Sequence, residues 1–251
     1  MNKLGYILLL LSSTIYADDG SYGIEYGTSS TKIRVSDIGI VSAAKVLGLP
    51  IKTTEDLNSY YYSVHYLTQS NKKDGWQFEF SISDFGSYSA TADIDYKKDI
   101  DVTKFLLITP NDISLLIPTS STHIELLGSA NIKVKIKGIS ASSIYVRPTG
   151  WEDLTISTRM GLMMLNVDIV GNYSYTATGQ YIPDTLGASS FYEHREQTEK
   201  INKNVIVPVT GMIFNYRYDD NWSYAVDTKI LGLIGTPASI FTISLQLTKK
   251  L

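Results

Sequence analysis

The sequence predicts an all-β fold: an antiparallel transmembrane β-barrel of about 12 strands, with ten as the alternative. Three observations carry this expectation. Apolar and polar residues alternate with period two through runs of about ten residues, the length a tilted strand needs to cross a bilayer. Aromatic residues, 18 Tyr among them, gather at the ends of those runs and beside turns, where a membrane interface favours amphipathic rings. Past the first seventeen residues, no apolar run approaches the roughly 20 residues of a spanning helix, so any crossing falls to strands. A secreted β-sandwich also alternates, but its strands usually run to about five or six residues.

Taken in order, residues 1–17 read as a secretory signal. Asn2 and Lys3 give a short positive start, Leu4 to Leu11 is almost wholly apolar, and Ala17 offers a small residue for cleavage. Residues 18–251 then form a single barrel domain. Tyr22, Ile24 and Tyr26 open the alternation, and Tyr60, Tyr62, Val64 and Tyr66 follow the same rule. Trp76, Phe78, Phe80 and Ile82 alternate with Gln77, Glu79, Ser81 and Ser83; Tyr88, Ala90, Ala92, Ile94 and Tyr96 alternate with Ser89, Thr91, Asp93 and Asp95. Ile132, Val134 and Ile136 sit between lysines 133, 135 and 137. Met163, Leu165, Val167 and Ile169 flank Asn166 and Asp168. In "MIFNYRYDDNWSYAVDTKI", two such runs meet at Asp219-Asp220-Asn221, a hairpin with Tyr218 and Trp222 as interfacial aromatics on either side. The closing run sets Phe241, Ile243, Leu245 and Leu247 against Thr242, Ser244, Gln246 and Thr248.

Residues 28–57 and 103–130 are less regular, and 178–204 is polar enough to read as an exposed loop with a helical turn near Glu193 to Lys200. With both termini in the periplasm, Asp219-Asp220-Asn221 becomes a periplasmic turn, while Gly235-Thr236-Pro237 and the 178–204 loop lie outside. Short inner turns and long outer loops are the usual barrel pattern.

If the apolar parity faces lipid throughout, the other parity lines the lumen. That reading places Glu25, Glu79, Asp93, Asp95, Lys133, Lys135, Asp168, Arg217, Asp227 and Lys229 on the inner wall. Such charges serve either as rings that tune a polar path or as ion pairs that fill a closed interior. No Cys and three isolated His (His65, His123, His194) exclude the usual thiol and zinc chemistries. No catalytic motif is present, so neither a catalytic residue, a metal nor a cofactor is expected. The net charge of −3 gives no case for nucleic acid. The expected partners are outer-membrane lipid and a small solute, the expected state a monomer, and the expected place the outer membrane.

The C-terminal third resembles small bacterial outer-membrane β-barrel proteins, in "GMIFNYRYDDNWSYAVDTKI" and the terminal "IFTISLQLTKKL". "GWEDLTISTRMGLMMLNVDIVGNYSYTATGQYIPD" is faintly similar to transporter barrels related to aromatic-compound uptake, with Gly150, Asp153, Leu154 and Thr155 matching by position. Barrels of this kind usually end in Phe or Trp, whereas this chain ends Lys249-Lys250-Leu251. The function expected is passive or facilitated passage of a small solute. The alternatives are a structural or surface-interaction barrel acting through 178–204 and an outer-membrane hydrolase.

Overall fold

The computed structural model describes residues 20–31, 50–68, 75–100, 122–181, 189–232 and 239–250. The signal segment, the Gly235-Thr236-Pro237 turn and residues 182–188 of the expected loop lie outside that set. Nine strand segments are described: β1 (Gly20–Thr31), β2 (Ile51–Asp56), β3 (Asn58–Thr68), β4 (Gly75–Ile100), β5 (Thr122–Pro148), β6 (Leu154–Tyr181), β7 (Ser189–Arg217), β8 (Trp222–Leu231) and β9 (Ile240–Lys250). All neighbours pair antiparallel, and the β4–β5 pairing closes the sheet into a ring. Because β2 and β3 share one edge of β4, the nine segments fill eight positions. One lap of paired residues leaves β5 at Arg147 and runs through Ile156, Phe214, Val226, Leu245, Tyr26, Tyr62 and Asp84. It returns to β5 at Lys137, so the strands are staggered, as closure of a barrel requires.

The described ring thus has fewer strands than the 12 or ten expected from sequence, because four of them are long. β4 to β7 run to 26, 27, 28 and 29 residues, whereas β1, β3, β8 and β9 span 10 to 12, the bilayer-crossing length. The polar stretch read as a loop is largely strand: residues 178–181 close β6, and 189–204 begin β7, paired residue by residue with β6. β7 is polar on both faces there because, among the described residues, its far edge has no strand beside it and water reaches both sides.

Local turns follow from their residues. At Asp219-Asp220-Asn221 the Asp219 carboxylate accepts the backbone N–H groups of Asn221 and Trp222, both at 2.7 Å, and Tyr218 N–H donates to the Trp222 carbonyl. In β4, Phe85 and Gly86 are one residue too many for β5, and the register shifts between Asp84 and Ser87. Gly86 takes φ +72°, a conformation open to glycine, and its N–H donates to the Asp84 carboxylate at 2.8 Å.

Candidate functional site

A one-residue bulge turns every following side chain to the opposite face. Before it, Glu79, Ser81 and Ser83 point into the ring and Trp76, Phe78, Phe80 and Ile82 point out; after it, Tyr88, Ala90, Ala92 and Ile94 are buried. Along β5 and β6 the parity never slips, yet the chemistry exchanges faces. On β6 the outward side chains run Met160, Leu162, Met164, then Asn166 and Asp168; the inward ones run Ser157, Arg159, Gly161, then Met163, Leu165 and Val167. The lower half of the wall is therefore apolar outside and polar inside, as a bilayer demands. The upper half, an extension of β4 to β7 with β2 on its edge, is charged outside and apolar inside, as water demands.

This inversion decides where the candidate lumen residues stand. Glu25, Glu79, Asp227 and Lys229 lie inside the ring and are buried. Asp93, Asp95, Lys133, Lys135 and Asp168 stand on the outer wall of the extension, contrary to the lumen assignment, because the apolar parity there faces a core and not lipid. There Asp168 accepts a hydrogen bond from Asn202, and Lys97 pairs with Glu125 at 2.6 Å. The hydrogen bond to Glu125 holds the Lys97 ammonium above its ordinary pKa. Arg217 keeps the inward parity of β7 but stands at the open lower mouth and not in the buried cluster. It sits exposed at the lower rim, 3.2 Å from Asp153, beside a recess of about 280 Å³ that Asn215, Asp219, Trp222 and Lys250 help to line. Tyr218 and Trp222 are at this rim too; the Tyr218 ring meets Tyr224 edge-on at 6.0 Å, and Lys249 lies over Trp222.

Inside the membrane half the side chains converge on one cluster. Arg159 donates through Nη1 to both carboxylate oxygens of Asp227 at 2.7 Å and through Nη2 to Glu79 Oε2 at 2.5 Å. Lys229 donates to Glu25 Oε2 at 2.6 Å and to the Tyr61 hydroxyl at 2.7 Å, and that hydroxyl donates onward to Glu25 at 2.8 Å. His65 Nδ1 is 3.5 Å from Glu25 Oε1, and its Nε2 meets Gln246 at 2.8 Å. Gly23 makes room for this ring, since a Cβ there would stand 2.2 Å from His65 Nε2. Three carboxylates thus face two permanent cations and one imidazole. Arg159, His65 and Tyr61 are the members that the lumen assignment leaves out. The signal for Arg159 is its position: it shares the parity of Met163 and Leu165, where an Arg against mid-bilayer hydrocarbon would cost roughly 2–4 kcal/mol.

Apolar layers close the cluster from both ends. Inward residues of β8 run upward as Ala225, Asp227, Lys229 and Leu231. Below the charges lie Ile144, Ile213 and Ala225, and above them Tyr61, Phe85, Met163, Val209, Leu231 and Ile240 pack together. An eight-position ring has an interior that side chains just fill, and here they fill it.

Neither a protein-family model nor a curated protein matches the sequence. Among solved structures, the chain is similar to the N-terminal β-barrel domain of OprF from Pseudomonas aeruginosa, at 11% identity over 92% of this chain and 97% of that one, with a TM-score of 0.40. It is also similar to Ail, the attachment invasion locus protein of Yersinia pestis (11% identity, 93% and 99% covered, TM-score 0.34). A third is an outer-membrane channel from Pseudomonas putida F1 (10% identity, 93% and 96% covered, TM-score 0.28). These likenesses are loose, and the fold follows from the chain's own pairing and facing. A closed antiparallel ring with an outward apolar band and a polar interior is a transmembrane β-barrel, and this chain is one.

Proposed function

We propose that this protein is a monomeric, closed-lumen barrel that acts through its surface, the extension of β4 to β7 that continues past the apolar band. One observation carries the reading: the Arg159–Asp227–Glu79 and Lys229–Glu25 pairs are stacked between two apolar layers, so that the described residues leave no continuous polar path through the ring. The extension supplies what a surface-interaction barrel needs. It holds two sheet edges, β2 and the upper part of β7, and an outer wall of mixed charge raised above the membrane. With the described short turns, Gly20 and Lys250 at the opposite end, the extension faces the cell exterior.

Passage of a small solute is the second reading. It is favoured by buried polar atoms without a hydrogen-bond partner inside the ring, among them Glu25 Oε1, Glu79 Oε1 and Arg159 Nε, which a rearranged cluster would turn toward a path. Planar-bilayer recording of the refolded protein separates the two. The closed-lumen reading expects no steady single-channel conductance from a sample whose insertion is verified on the same preparation. Steady, ion-selective steps would overturn it in favour of passage.

A further inference from the structure

Where the outer wall changes character, two cross-strand rows lie side by side. The lower row, Val64, Ile82, Ile139, Met164 and Ile206, ends the apolar band; the row above it is Tyr62, Asp84, Lys137, Asn166 and Asn204. The β4 bulge is just above, and a cleft of about 300 Å³ opens between the rows, floored by Ile82, Ile139 and Met164 and rimmed by Lys137, Asp84 and the two asparagines. Its apolar floor continues into the band, so acyl chains already reach it. Its upper rim carries a lysine ladder. Among the described residues, Lys137 is held only by a 3.6 Å pair to Asp84 while 68% exposed, a weak engagement, and neither Lys133 nor Lys135 has an ion-pair partner.

We propose that this cleft seats one anionic lipid of the outer leaflet, with acyl chains along Ile82, Ile139 and Met164 and a phosphate at Lys137 and Lys135. Charge and depth select this occupant together. A phosphate fits the two lysines at headgroup level, and only a lipid also fills the apolar floor beneath. Asp84 lines the cleft beside Lys137 and Asp168 stands opposite Lys135, so these carboxylates weigh against a broad polyanion, and a single phosphate is held by the two ammonium groups. The assignment rests on the extension facing outward. It is independent of whether the lumen conducts.

The test uses the full chain, folded in neutral detergent, and native mass spectrometry with diphosphoryl lipid A as the probe. One saturable lipid A is expected per barrel. The K135Q/K137Q variant should bind on the order of tenfold more weakly while keeping the electrophoretic shift of a folded barrel, since those side chains stand on the outer wall. K97Q/K200Q, two lysines higher on the extension, should bind like wild type. Dephosphorylated lipid A should bind wild type as weakly as diphosphoryl lipid A binds K135Q/K137Q, and millimolar inorganic phosphate should not compete. Equal binding by wild type and K135Q/K137Q, an equal loss in K97Q/K200Q, or displacement by inorganic phosphate would each overturn the proposal. The first would mean no site, the second a diffuse charge effect and the third an anion site without the lipid.

Discussion

Replacing Arg159 by Met is expected to destabilise the barrel by about 3–5 kcal/mol, because it strands Asp227 and Glu79 as buried carboxylates that have lost their shared cation. Urea unfolding of the detergent-folded protein measures this. Removing the charges on both sides tells more than removing one. In R159M/E79Q/D227N no carboxylate of the trio stays ionised, and much of the lost stability should return, since a filled neutral interior often matches a buried ion pair. Such recovery locates the cost in the unpaired acids and not in the lost volume of the Arg side chain. A triple variant no more stable than R159M would contradict the pairing seen here. Arg159→Lys is expected to fall between, because an ammonium keeps the charge but loses the fork that holds Asp227 and Glu79 at once.

A second large effect is expected at Leu245, whose side chain is 70% exposed in the outward band between Tyr26 of β1 and Val226 of β8. Leu245→Arg puts a cation against hydrocarbon and should cost roughly 2–4 kcal/mol of folding into bilayers. Asn215→Asp, at the open lower mouth, should be close to neutral. The next inward position up from Gln246 behaves differently again. Ser244 is buried at 2% exposure beside Asp227, so Ser244→Asp would add a carboxylate to a cluster already short of cations, and loss of folding is expected. Polar parity alone therefore does not make a position tolerant. Equal folding efficiency for Leu245→Arg and Asn215→Asp in lipid vesicles would contradict the outward band.

The hairpin at Asp219-Asp220-Asn221 and the closing strand are fully legible in the sequence, since β8 and β9 stay within the bilayer and one parity rule serves their whole length. The longer strands are legible only in part. Their alternation is present, but its meaning reverses where the wall leaves the membrane, and period two carries no sign of which solvent each face meets. The reversal is marked on β6 by "MGLMML", where both parities are apolar because the outer face has not yet become polar while the inner face has already become apolar. It is marked on β4 by Phe85-Gly86, which looks like an ordinary strand dipeptide until the register is known. Residues 189–204 were hidden for another reason. An edge strand with water on both sides carries no alternation at all, so its composition is that of a loop. The interior cluster was half legible for the same cause as the wall: Glu25, Glu79, Asp227 and Lys229 lie on the polar parity of membrane-level strands, whereas Arg159 lies on a parity that is apolar farther up.

The exchange of faces along β6 is the claim on which the rest depends, and a chain without cysteine makes it directly measurable. Single cysteines at Met160, Leu162, Met164, Asn166, Asp168 and Asn172 follow the outer wall upward, and at Met163, Leu165 and Val167 they follow the inner one. Each is treated on intact cells with a membrane-impermeant maleimide. The structure predicts labelling at 166, 168 and 172, protection at 160, 162 and 164 by lipid, and protection at 163, 165 and 167 by the core. Protection at 166, 168 and 172, or labelling at 160, 162 and 164 equal to theirs, would mean that all six positions share one environment and that the faces do not exchange along β6, and it would contradict the raised extension.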